Sequence, residues 1–233
     1  MRCRGLVFAV SLLSSMPAWA GDGDLVRPFN WTGFYAGVHG GYATNSLDVA
    51  NTAVRDQDLN GGIFGAQVGY QRQLPGTTGI VIGIETDASF GKLNTVVHDD
   101  ANFRDSSGEI DALGTVRARV GLAAGRFMPY ITAGLLWARV EQGEHCPAAA
   151  PSGLCKARGA YDASETNVNA GWVVGGGFEQ AISERWSFRA EGLYGDLGET
   201  SYDLGADGKG AKLPTVDVNH DMTLLRFGLN SRF

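Results

Sequence analysis

The sequence predicts an all-β fold: an eight-stranded antiparallel up-and-down transmembrane β-barrel with short turns at one end and four long external loops at the other. Three observations carry that expectation. Eight segments alternate in polarity with a period of two, the connections between them alternate short and long, and aromatic residues gather near both ends of the segments.

Composition leaves room for this class and closes others. Hydrophobic residues make up 44% of the 233 and charged residues 19%, with 34 glycines against 7 prolines. That is too apolar for disorder and too glycine-rich for a helical bundle. No stretch in the body reaches about eighteen consecutive apolar residues, so a transmembrane helix is excluded. Barrel strands need only roughly 9 to 11 residues of alternating polarity and escape that test.

Residues 1–20 read as a secretory signal peptide. Arg2 and Arg4 form a basic start, "LVFAVSLLSSM" is a short apolar run, and "AWA" supplies small residues before a cut at Gly21. Residues 21–32 are then a periplasmic N-terminal segment and 33–233 the barrel domain. The formal charge of -6 becomes more negative once the two arginines leave, and an acidic chain without a basic run argues against nucleic acid.

The candidate strands follow in order at about 33–43, 61–73, 80–92, 113–123, 129–141, 167–181, 186–197 and 221–233. In the first, Phe34, Ala36, Val38 and Tyr42 alternate with Tyr35, Gly37, His39 and Gly41. The second sets Phe64, Val68 and Tyr70 against Gly65, Gln67 and Gln71, and the third sets Ile82, Ile84 and Phe90 against Glu85 and Asp87. The fourth opposes Val116 and Val120 to Arg117 and Arg119. The fifth, with Ile131, Ala133, Leu135 and Trp137 on one side, carries Leu136 on the supposedly polar one. The sixth and seventh place Trp172, Val174, Phe178, Phe188 and Tyr194 opposite Glu179, Arg189 and Glu191. The eighth runs through "TLLRFGLNSRF", with Leu225, Phe227, Leu229 and Phe233 on one parity and Arg226 on the other.

A soluble sandwich also alternates, so the connections decide. "LPGTTG", "AAGRF" and "SERW" are short, whereas the other four connections run to about 17–25 polar residues, the asymmetry of periplasmic turns and external loops. Phe34, Tyr70, Phe178, Trp186, Phe188 and Phe233 then fall near the inner rim, and Tyr42, Phe64, Phe90, Trp137 and Tyr194 near the outer one, as two headgroup belts would require. The sequon "NWT" lies at the periplasmic end, where Trp31 reads as an interface anchor.

The inward parity is charged. Glu85, Asp87, Arg117, Arg119, Glu179, Arg189, Glu191 and Arg226 share it, four acids with four bases. An eight-stranded lumen is just wide enough for side chains to fill it, so these groups are expected to pair across neighbouring strands. An ion path through the same charges is the alternative. In an oxidising compartment Cys146 and Cys155, in "CPAAAPSGLC", are expected to form a disulfide; a metal pair with His145 lacks a fourth ligand.

Four stretches then carry a resemblance. "WTGFYAGVHGGY", "GTVRARVG", "GWVVGGGFEQAI" leading into "WSFRAEGLYGDLG", and "LLRFGLNSRF" resemble the small alphaproteobacterial outer-membrane barrel proteins, porin-family surface antigens related to the OmpA-like transmembrane domain. The resemblance implies an integral outer-membrane protein that helps maintain the envelope, displays loops outward, and meets outer-membrane lipid, lipopolysaccharide and the barrel-assembly machinery. It also implies that Phe233, with Leu229 and Phe227, forms a C-terminal insertion signal, although Ser231 stands where such proteins usually carry an aromatic. Some relatives are described as haem-binding, and many are called porins.

Searching for chemistry yields little. His220 beside Asp221, or His98 beside Asp99 and Asp100, could offer a base and its orienter, but neighbours on a strand point to opposite faces. His39 is expected inside as a hydrogen-bonded filler. No catalytic residue, cofactor or metal site is assigned; the leading expectation is a non-enzymatic envelope protein, with a porin or haem binder next and a lipid or peptide hydrolase last.

Overall fold

The computed structural model describes residues 29–49, 57–77, 79–148, 150–213 and 215–233. The expected signal peptide, Cys3 and residues 21–28 of the N-terminal segment lie outside them. Eight strands, β1 (Gly33–Val49), β2 (Gln57–Gln73), β3 (Ile80–Asp99), β4 (Arg104–Leu122), β5 (Phe127–Cys146), β6 (Tyr161–Ala181), β7 (Trp186–Tyr202) and β8 (Val216–Arg232), form one antiparallel closed barrel in chain order. The barrel closes where β8 pairs with β1, from Tyr35 opposite Arg232 to Val49 opposite Val218. A short helix, α1 (Gly153–Arg158), follows β5.

The inner ends of the strands fall where the polarity pattern puts them; the outer ends do not. β3 and β4 remain paired up to Asp99 opposite Arg104, and β4 and β5 up to Asp105 opposite His145. The external connections are therefore 50–56, 100–103, 147–160 and 203–215, and much of what the sequence presents as long loop is ladder. The reason is the solvent. Outward residues turn polar where a strand leaves lipid, yet the backbone still satisfies its donors and acceptors by pairing. Loss of apolar alternation marks the membrane edge, not the strand end.

The outer surface shows that edge. Phe34, Val38 and Tyr42 on β1, Ile131, Leu135 and Trp137 on β5, and Leu225, Phe227 and Leu229 on β8 are exposed, and beyond them Thr44, Arg139, Glu141 and Thr223 face out. Aromatics pair across strands at both rims: Phe34 with Tyr70 (4.8 Å) and Phe178 with Phe188 (6.4 Å) at the inner one, Phe64 with Phe90 (6.4 Å) and Trp172 with Tyr194 (5.7 Å) at the outer one. Rings settle at these levels because they are apolar in body and tolerate headgroup polarity.

The lumen is filled in three tiers. At the periplasmic mouth Phe29 and Trp31 pack with Val81, Met128 and Ala181. The middle tier is charged. At and above the outer rim an apolar cluster closes the tube, including Leu59, Ile63, Leu93, Ile110, Leu113, Leu136, Val140, Val173, Leu193, Leu197, Met222 and Leu224. Leu136, on the polar side by sequence, thus belongs to this tier and leaves the phase of β5 intact. A register shift between Ile110 and Ala112 lets Ile110 and Leu113 both face inward despite opposite parity. A second shift, between Asp196 and Glu199, is centred on Gly198, whose φ of 72° suits glycine.

Trp31 is not an interface anchor. It is fully buried, its Nε1 donates to the Gly125 carbonyl at 3.0 Å, and its ring lies 4.9 Å from Phe29. The chain before β1 folds under the barrel and places both rings in the mouth, where they gain more by burial than at a headgroup layer.

Candidate functional site: the charged lumen

The eight charged residues of the inward parity form one hydrogen-bonded network. Glu85 and Asp87 stand on β3, Arg117 and Arg119 on β4, Glu179 on β6, Arg189 and Glu191 on β7, and Arg226 on β8. All are at least nine-tenths buried. Two pairs are cross-strand neighbours, Glu85 with Arg117 at 2.5 Å and Glu191 with Arg226 at 2.5 Å. Arg117–Asp87 (3.1 Å) and Arg119–Glu85 (3.8 Å) also join β4 to β3, and Arg189–Glu191 (2.5 Å) lies along β7. Four more span the lumen: Arg189 reaches Glu85 at 2.5 Å, Arg226 reaches Asp87 at 3.0 Å, Arg117 reaches Glu191 at 3.2 Å and Arg119 reaches Glu179 at 3.0 Å. Pairing restricted to neighbouring strands is thereby corrected. A guanidinium on its long stem crosses a narrow tube, and its fork engages two carboxylates at once.

Neutral donors complete each carboxylate. Tyr35 donates to Glu85 at 2.7 Å, Tyr130 to Glu191 at 2.9 Å, Thr115 to Asp87 at 2.5 Å, and Ser187 and Asn230 to Glu179 at 2.5 and 3.2 Å. His39 bridges Gln67 (2.5 Å) and Ser89 (2.7 Å) beside the network. Arg119 also lies over the Tyr130 ring, 4.0 Å from its centre. Removing one partner from such a network leaves buried charges uncompensated, a cost of about 3–5 kcal/mol. Each carboxylate is held by cations and neutral donors, an arrangement suited to bracing the wall.

The histidines divide between faces. His220 points inward, 3.1 Å from Asn45 Nδ2, while Asp221 faces out and accepts from Tyr194 at 2.8 Å, so they do not share a site. Far above the outer rim His98, Asp105, His145 and Asp162 stand directly opposite one another on β3, β4, β5 and β6. His98 lies 2.6 Å from Asp105, and His145 lies 3.7 Å from Asp162. Among the described residues no three His, Cys, Asp or Glu side chains are placed to hold a metal.

Cys146, at the end of β5, is bonded to Cys155 in α1 across a Cα separation of 5.3 Å. Cys155 N donates to the Asn102 carbonyl at 3.2 Å, which ties this connection to the β3–β4 turn. In the 203–215 connection Asp203 meets Lys212 at 2.9 Å, and Asp207 accepts from the N–H groups of Lys209 and Ala211. The Lys212 contact holds the Asp203 carboxyl below its usual range, as the Ala211 N–H does for Asp207.

Phe227, Leu229 and Phe233 are exposed on the outer face of the barrel at its closing seam, with Phe227 stacked on Phe188 at 6.3 Å and Phe233 N donating to the Phe34 carbonyl at 3.1 Å. Sequence reasoning missed Arg232, Phe29 and Trp31 as lumen residues, and Tyr35 and Tyr130 as partners of the carboxylates. Arg232 shares parity with Arg226, which was the available signal.

The outer membrane protein beta-barrel domain family matches residues 6–222. The 31 kDa outer-membrane immunogenic protein of Brucella melitensis biotype 1 is 31% identical over 188 residues, covering 75% of this chain and 74% of that protein. The 25 kDa outer-membrane immunogenic protein of Brucella abortus biovar 1 is 25% identical over 215 residues, covering 91% and 86%. Among solved structures, the outer membrane protein OprG from Pseudomonas aeruginosa is 16% identical, with a TM-score of 0.54 and coverage of 87% of this chain and 96% of that one, a likeness of fold.

Proposed function

Because the chain belongs to the outer membrane protein beta-barrel domain family and is an outer-membrane β-barrel, we propose that it is a non-enzymatic, non-conducting wall element that braces the envelope and displays a surface-exposed tube. The filled lumen carries this reading. Aromatic rings occupy the mouth, a cross-lumen charge network the middle and apolar side chains the outer end, which leaves side chains where a solute would travel. Planar-bilayer recordings of the refolded protein are expected to show no discrete steps; reproducible steps would replace this reading with that of a small-solute porin.

The same proposal covers partners. The exposed apolar belt meets outer-membrane lipid and lipopolysaccharide, and the row of Phe227, Leu229 and Phe233 on the closing seam is the handle for the barrel-assembly machinery. Phe233→Ala is expected to lower the level of protein in the membrane, and unchanged levels would remove that role.

A further inference from the structure

The 147–160 connection touches two others that stand on opposite sides of the barrel. In a closed ring of eight strands in chain order, the β3–β4 turn and the β7–β8 connection lie four strands apart. On the first side, Leu154 N and Cys155 N donate to the side-chain and main-chain oxygens of Asn102 at 3.3 and 3.2 Å. Asn102 is itself fixed, since its Nδ2 donates to Asp99 at 2.8 Å. The two chains approach closely: a Cβ on Gly153, whose φ is 73°, would come within 2.6 Å of the Ala101 carbonyl oxygen. Glu144 adds a link here, 3.2 Å from Arg158 of α1 and 3.7 Å from Arg104 at the start of β4.

On the second side, Gly159 turns the chain with a φ of 81°, and a Cβ there would lie 3.6 Å from the Gly208 carbonyl carbon. Ala160 follows, packed so tightly on Gly208 that no Cβ fits at Gly208 beside the Ala160 carbonyl. Gly208 belongs to a turn that holds its own shape. Asp207 accepts from the N–H groups of Lys209 and Ala211, Ala206 bridges to Lys212, and Asp203 N at the base donates to Glu165 of β6 at 2.5 Å. The 147–160 connection therefore docks on a formed surface at each end.

We propose that this connection is a strap across the outer mouth of the barrel, pinned by Cys146–Cys155, that joins the β3–β4 turn and the β7–β8 connection into one mechanical unit. Between its two contacts runs α1, six residues long and spanning about 9 Å. So short a helix does not persist in isolation. Cys155 lies within it and is bonded to Cys146 at the rigid end of β5, with both residues buried. Without that bond α1 loses its anchor, and the contacts at Asn102 and at Gly208 are released together.

The test is limited trypsin digestion of the full barrel, refolded in detergent without reductant, with cleavage sites and rates read by mass spectrometry. Circular dichroism checks that each variant keeps its β signal. In a variant carrying both Cys146→Ala and Cys155→Ala, cleavage after Lys209 should rise at least about tenfold, because cleavage follows the population of the opened segment and a disulfide typically shifts such a population by more than that. Neither substitution lies in the connection that is cut. An unchanged rate after Lys209, with or without faster cleavage after Lys156 and Arg158, means that the connections move independently and overturns the proposal. Gly208→Ala tests the coupling in the other direction with the disulfide intact: it should accelerate cleavage after Lys156 and Arg158. Unchanged rates at those two sites overturn the proposal as well. Should the double variant not fold, Gly208→Ala decides. None of these outcomes depends on conductance.

Discussion

At the scale of single residues the lumen is governed by charge balance under burial. Glu191 accepts from Arg117, Arg189, Arg226 and Tyr130, more donors than any other carboxylate in the network. Glu191→Gln keeps the shape, removes the charge and leaves three guanidiniums sharing Glu85 and Asp87. We expect it to destabilise the folded barrel by about 3–5 kcal/mol, read as a lower denaturant midpoint in detergent. A loss near zero would mean that water reaches this tier and screens it. The eight charges were legible because lipid forces charge inward, so parity alone located them. Their partners were not legible, since parity says nothing about which arms cross the tube. Trp31 was misread for a related reason: a segment folded beneath the barrel carries no periodic signal.

At the scale of elements the sequence located every strand but ended most of them early on the outer side. Polarity alternation within lipid is strong because both the outer face and the lumen impose it. In water the outer face imposes nothing, and only the inward row, Leu93, Ile110, Val140 and Val218 among it, still marks the strand. The difference is open to limited proteolysis of the refolded protein. Trypsin should cut first after Lys209 or Lys212 in the 203–215 connection, while Lys92, Arg104 and Arg139, carried on paired strands, should survive far longer. Early cleavage after Lys92 or Arg104 would restore the reading of that region as loop. The Cys146–Cys155 pair was legible from compartment and spacing, but its docking on Asn102 through α1 was not, because nothing local links 102 to 155.

At the scale of the whole molecule the proposed non-conducting wall predicts that the three tiers act as redundant seals. Leu193 lies in the outer apolar tier, and Leu193→Ala opens a cavity there that costs about 2–5 kcal/mol. Conductance should nevertheless stay absent in that variant, because the charge network and the Phe29–Trp31 mouth remain in place. Steps appearing on this one substitution would identify the apolar tier as a gate. The same tiering inverts along the tube: the chain is apolar outside and charged inside within lipid, then polar outside and apolar inside beyond it.

That inversion bears on any reagent directed at the outward face of the tube. The row of His98, Asp105, His145 and Asp162 brings four strands side by side on the exposed tube, although the residues are far apart along the chain. An epitope on this face is a property of the ladder and not of any segment. A peptide copied from one strand presents one rung of it, and an immune serum raised against the unfolded chain meets the rungs but never the row.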